Sequence, residues 1–130
     1  MKVRDLPPRP PLTVDPKATL AEVARRMRSE DAGSVAVVSS GRLVGIITER
    51  DVVGAIADGI DPREATADVV MSGEPATVGE EDDLRLVAVR MMALGIRHLP
   101  VVDQGGAIVG LISARDLVAV LDSDGDARGG

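Results

Sequence analysis

Two four-residue stretches hold the chemistry this sequence offers. Thr48-Glu49-Arg50-Asp51 and Ser113-Ala114-Arg115-Asp116 both read Ser/Thr-x-Arg-Asp, and both follow an apolar run. A hydroxyl residue with an acid three positions on is the signature of a helix N-cap and its reciprocal partner. Such a cap contributes about 1 kcal/mol in each copy. The same spacing also suits a ligand. A helix start that follows a strand offers free amides and a partial positive charge, which favour a phosphate. A carboxylate one turn in can accept both hydroxyls of a ribose, as an acidic residue does in dinucleotide folds. Arg50 and Arg115 add a cation at the matching place in both copies. One copy alone would be capping; two in matched frames favour ligand binding.

Other chemistries are excluded by what is missing. The 130 residues contain no cysteine, which removes disulfides, thiolate nucleophiles and thiolate metal sites. His98 is the sole histidine, so no second imidazole or thiol can complete a nucleophilic or metal centre, and no catalytic residue is assigned. There is no Phe, Trp or Tyr to stack on a base, and the net charge of −6 opposes phosphate-backbone binding, so no nucleic acid is expected. The opening is interrupted by Pro7, Pro8, Pro10 and Pro11, unlike a signal peptide, and no apolar run approaches the ~18 residues of a membrane span. A cytoplasmic protein with no membrane partner is the expectation.

The elements that must position the two motifs are themselves repeated. Thr13-Val14 returns as Thr77-Val78, Leu20 as Leu84, Val23-Ala24 as Val87-Ala88 and Met27 as Met91, each 64 residues on. After one inserted residue, Leu43 to Asp51 returns as Ile108 to Asp116. Such a period fixes the architecture before any residue is interpreted. Each unit reads strand–helix–strand–strand–helix. In the first, Thr13-Val14 is a strand, and a helix follows from a Thr19-x-x-Glu22 capping box. Ser34–Ser39 and Leu43–Ile47 are strands joined at Ser40-Gly41, and a helix runs from Glu49 to Asp58. In the second, Glu80 to Asp83 open the first helix as dipole partners, strands flank Gly105-Gly106, and a helix runs from Ala114 to Leu121. With units this small, the halves are expected to share one core built from aliphatic residues and methionine. The layout is an N-terminal arm (1–11), a first repeat (12–60), a linker (61–76), a second repeat (77–122) and a flexible polar tail (123–130). The tail's alternating Asp residues do not complete a calcium loop, because Gly125 comes one position early and no Glu follows.

The repeat resembles the CBS domain, and the pair resembles a Bateman module. The matching stretches include Gly33-Ser34-Val35-Ala36-Val37-Val38, Leu43 to Val53, Val70-Met71-Ser72, Ile96-Arg97-His98-Leu99-Pro100-Val101-Val102-Asp103 and Ile108 to Leu117. The resemblance implies an α/β (α+β) fold of tandem pseudo-symmetric repeats. It implies a regulatory module without catalysis that binds adenosine-containing ligands, AMP, ADP or ATP, or else NAD or S-adenosylmethionine. Magnesium would arrive only with ATP; no cofactor and no resident metal is implied. Carried over by position, Asp51 and Asp116 bind ribose, Thr48 and Ser113 contact ribose or phosphate, and Arg50 and Arg115 reach phosphates. The backbone around Val35-Ala36 and Leu99-Pro100 lines the adenine pockets, with Thr13-Val14 and Thr77-Val78 on the opposite walls. Arg97 and His98 contact phosphate. The first repeat has Gly33-Ser34 at those positions, so its site lacks these cations. The family also implies a homodimer through its helices and an effector protein beyond it. The competing reading is an interaction module in which both motifs are helix caps and nothing more.

Overall fold

The computed structural model describes residues 1–6 and 10–129; the readings of Pro7 and Pro8 lie outside it, as does the last residue of the tail. A 3-10 turn at Val3–Asp5 precedes β1 (Thr13–Val14), α1 (Leu20–Ser29), β2 (Ser34–Ser39), β3 (Arg42–Thr48) and α2 (Glu49–Ala57). There follow α3 (Ala67–Val70), β4 (Ser72–Gly73), β5 (Val78–Gly79), α4 (Leu84–Leu94), β6 (His98–Val102), β7 (Ile108–Ser113) and α5 (Ala114–Gly129). Each repeat has the expected strand–helix–strand–strand–helix order. The sheets run β1-β2-β3-β4 and β5-β6-β7, with β1 and β5 parallel to their neighbours and the hairpins antiparallel. Both hairpins shift register at the same repeat position, between Val37 and Val38 and between Val101 and Val102.

Local chemistry sets the helix limits. Thr19 Oγ1 accepts the Glu22 N–H at 3.2 Å and starts α1. The second repeat differs from expectation here, because Glu80 to Asp83 precede α4 and do not form its first turn. Short acidic side chains compete with helical hydrogen bonding. Asp83 Oδ1 caps the Arg85 N–H at 2.8 Å, and Asp82 Oδ2 accepts the Gly79 N–H at 2.8 Å. α5 also continues past Leu121 to Gly129, where the sequence suggests a tail. Extending an existing helix costs far less than nucleating one, and the segment contains no proline to stop it.

Two cores form, not one. The first gathers Val14, Val23, Met27, Val35, Val37 and Ile47; the second gathers Val78, Leu84, Val87, Met91, Leu99, Val101, Ile112 and Leu117. Each takes one further residue from the segment leading into the other repeat. Val3 is buried in the second core, and Ala67 in the first. The backbone repeats the exchange bond for bond. Val3 N–H donates to Asp82 O, Arg4 N–H to Glu80 O, and Leu84 N–H to Met1 O, each at 2.9 Å. Sixty-four residues on, Ala67 N–H donates to Ala18 O at 2.8 Å, Asp68 N–H to Pro16 O at 3.0 Å, and Leu20 N–H to Ala65 O at 2.9 Å.

Within the N-terminal arm, residues 1–6 are therefore a docked element. Residues 61–76 likewise contain α3 and β4 where a plain linker was expected. The cause is burial: Val3 and Ala67 are small apolar groups that would otherwise face water. Exposed ion pairs at 2.9 Å flank both docks, Lys2 and Arg4 with Glu81 and Lys17 with Asp68. Hydrogen bonding from Lys2 holds the Glu81 carboxyl below its ordinary range. Truncating Val3 to alanine tests the dock. The variant should lose about 2 kcal/mol of stability, read by urea unfolding followed by circular dichroism, and an unchanged midpoint would refute the docking role of Val3.

Candidate functional site

The two chemical motifs stand at matched strand-to-helix junctions. At the end of β3, the Thr48 N–H donates to Asp51 Oδ2 at 2.9 Å and the Asp51 N–H to Thr48 Oγ1 at 3.2 Å. At the end of β7, the Ser113 N–H donates to Asp116 Oδ2 at 3.0 Å and the Asp116 N–H to Ser113 Oγ at 3.1 Å. Both capping boxes are complete. A second amide of each helix start is also engaged, Glu49 N–H to Gly33 O at 3.1 Å and Ala114 N–H to Arg97 O at 2.8 Å. Fewer first-turn amides therefore remain for an anion than the bare motif offers. Arg50 and Arg115 are exposed, whereas Asp51 and Asp116 are half-buried.

The junctions of the two repeats meet at His98. This residue lies opposite Ser113 in the β6–β7 ladder, as buried Ser34 lies opposite Thr48. Its ring crosses to the other repeat and rests on Gly33, where a Cβ would come within 2.9 Å of His98 Cε1. Glu49 Oε1 is 3.6 Å from the same point. Burial pushes the His98 imidazole below its ordinary value; the Glu49 and Asp116 charges oppose that shift and Arg97 adds to it. The Gly33-Ser34 departure of the first repeat thus has a steric counterpart, since a side chain at position 33 would collide with the histidine.

Asp116 also lines a cleft of about 840 Å³. One wall is β7 at Leu111 and Ile112 with Val101 beside it; the other comes from the leading segment, through Arg4, Leu6 and Pro10. This volume falls in the usual range for small-molecule sites, which are mostly apolar with a few placed polar groups. The expected wall residues are not among those that line this cleft. Val78 is buried in the core, and the Thr77 carbonyl accepts the Arg90 guanidinium, as Thr13 O accepts that of Arg26 beside buried Val14. Val35, Ala36, Leu99 and Pro100 are completely buried within their strands. Sequence reading missed the contribution of Arg4, Leu6 and Pro10. Extending the 64-residue period upstream of Thr13 would have aligned Val3 with Ala67 and Leu6 with Val70.

In the first repeat the equivalent edge is covered. β4 pairs with β3 through Gly45↔Gly73 and Ile46↔Ser72, and Ile46 is the counterpart of Leu111. Met71 lies over Gly45 so closely that a Cβ there would be 2.3 Å from its Sδ. Among the described residues, no cluster of His, Asp and Glu is arranged to hold a metal ion, and no helix is long and apolar enough to cross a membrane.

The comparisons with known proteins agree with this architecture. The CBS domain profile matches residues 3–58 and again 67–123. The uncharacterised protein MK0525 of Methanopyrus kandleri is 36% identical over 111 residues, which cover 84% of this chain and 57% of that protein. The chain spans less than two thirds of the length of the curated relatives it first matches, 65% and 43% of the next two. The CBS domain protein PAE2072 of Pyrobaculum aerophilum, solved with AMP, superposes with a TM-score of 0.83 at 30% identity over 89% of both chains. The CBS domain pair of protein MJ0100, solved with 5-methylthioadenosine and S-adenosylmethionine, gives a TM-score of 0.87 at 26% identity, covering 95% of this chain and 98% of that one.

The covered edge of the first repeat makes a testable demand. Gly45→Ala should cost about 1–3 kcal/mol by overpacking, and Met71→Ala in the same background should return part of that loss. A Gly45→Ala protein with unchanged thermal stability would contradict the close approach.

Proposed function

The chain belongs to the CBS domain family, and we propose that it is a regulatory module that binds an adenosine-containing ligand in the cleft beside Asp116 and performs no catalysis. The observation that carries this reading is the placement of Asp116. Its carboxylate lines a largely apolar cleft and already caps α5, so it is fixed in position before any ligand arrives. A fixed acceptor at that depth suits a pair of ribose hydroxyls, and the apolar walls suit an adenine. Relatives of the same fold are solved with AMP and with S-adenosylmethionine and 5-methylthioadenosine, which supports the ligand class. AMP, ADP, ATP, NAD and S-adenosylmethionine are the members to test, with magnesium accompanying ATP alone.

Signalling follows from the two sources of the cleft walls. A ligand between Asp116 and the side formed by Leu6 and Pro10 bridges the second repeat and the leading segment docked on it. Such a ligand favours the docked arrangement over any looser one by its differential affinity, and an effector protein would read the difference. The competing reading, a module in which both motifs serve as caps, draws support from the two complete capping boxes.

Calorimetric melting separates the readings. A bound ligand at about 100 times its dissociation constant should stabilise the fold by about 2.7 kcal/mol. Asp116→Ala should abolish the ligand shift, and Asp51→Ala should retain it, because β4 and Met71 cover the first repeat's edge. No shift with any of the five ligands at millimolar concentration would leave the capping reading standing. Release of a product on incubation would instead indicate an enzyme.

We also propose a homodimer through the second repeat's helices. Outward on α4 stand Leu86, Val89 and Met92, at 69%, 60% and 83% exposure, with Val118 of α5 at 67%. The repeat-equivalent positions on α1 are Glu22, Arg25 and Arg28. A helix apolar on nearly every side is normally buried. A second copy presenting the same face would cover it without desolvating those charges. Val89→Glu should convert a dimer to a monomer in sedimentation analysis while leaving the melting cooperative; an unaltered mass would refute this interface.

A further inference from the structure

We propose that His98 is a proton-sensitive strut between the repeats: its neutral imidazole fills the space over Gly33, and its protonation loosens the second repeat's β6 from the first repeat's helix start. The inference is independent of the ligand reading and begins from geometry. The Gly33 Cα faces the ring so directly that a Cβ would lie 2.9 Å from Cε1 and 3.3 Å from Nε2. This space cannot hold both a side chain at position 33 and the imidazole.

The charged groups around the ring come from every direction. Glu49 belongs to the start of α2 in the first repeat, Asp116 to the first turn of α5, and Arg97 is the preceding residue on the chain. Glu49 and Asp116 favour a charged ring, and Arg97 disfavours it. Burial, with Arg97 acting in the same direction, outweighs Glu49 and Asp116, so the folded protein holds this proton less tightly than a free histidine would.

The sign follows from that difference. The unfolded chain binds the proton more tightly, so the strut's contribution is complete above about pH 6.5. It is lost as the pH falls through that value towards the lower one of the folded state. Because Glu49 starts one helix and Asp116 lies in the first turn of the other, a displaced ring reaches both junctions at once. The module would thus report acidification with no ligand present.

A single histidine makes the test direct, because the protein gives one imidazole Cε1–H resonance in NMR. In the wild type that resonance should titrate below the free-histidine value. Glu49→Gln should move it lower still, and Gly33→Ala, which displaces the ring, should return it towards the free value. Between about pH 8 and pH 5, wild-type melting temperature should fall further than that of His98→Gln. The excess should be about 5 °C for each tenfold difference in proton affinity between the folded and unfolded states. Titration at or above the free value overturns the proposal, as does a Gly33→Ala resonance that does not move. A His98→Gln protein that loses as much stability as the wild type overturns it too. If His98→Gln does not fold, the titrations of the wild type and Glu49→Gln decide alone.

Discussion

Everything in this molecule depends on an exchange of small apolar groups between its two halves. Neither repeat closes its own core: Val3 completes the second and Ala67 the first. Units this small bury a lesser share of their surface and are marginal alone, and the exchange couples the stability of one to the other. The matched hydrogen bonds, Val3 to Asp82 and Ala67 to Ala18, show that the arrangement belongs to the repeat itself. They also explain why the cleft beside Asp116 has walls from opposite ends of the chain.

Much of this was legible beforehand, and for physical reasons. The 64-residue period put both motifs at strand-to-helix junctions, and strand alternation with short turns located both hairpins. Thr48, Asp51, Ser113 and Asp116 were identified from spacing, because a capping box is a local device whose geometry depends on four consecutive residues. What was not legible is long-range. Val3 and Leu6 resemble an ordinary polar-flanked start, and nothing local says that the main chain at Asp82 waits for them. The acidic run from Glu80 to Asp83 reads as part of a helix it only precedes, because the partners that hold it, Lys2 and Arg4, come from almost eighty residues away.

The two halves are alike in backbone and, among the described residues, unlike at their edges. Covered by β4 and Met71, the first repeat's β3 has already spent its hydrogen-bonding edge on the chain itself. On the second repeat, the corresponding surface lines a cleft. The centre is asymmetric as well, because a histidine on one side requires a glycine on the other. Pseudo-symmetry supplied two frames, and single-residue differences gave them separate tasks.

The ion pairs that flank the docked segments are related by the same period, with their signs reversed. Arg4 faces Glu81, and the equivalent positions 68 and 17 hold Asp68 facing Lys17. Each pair is exposed and adds little stability by itself. As a set they form a lock with two keys. If a leading segment docked on its own repeat, Arg4 would meet Lys17, or Asp68 would meet Glu81, and like charges would oppose each other. A tandem repeat whose halves share one backbone plan runs a standing risk of closing on the wrong partner. Here the opposed polarity of two surface contacts distinguishes the partners that the nearly identical backbones cannot.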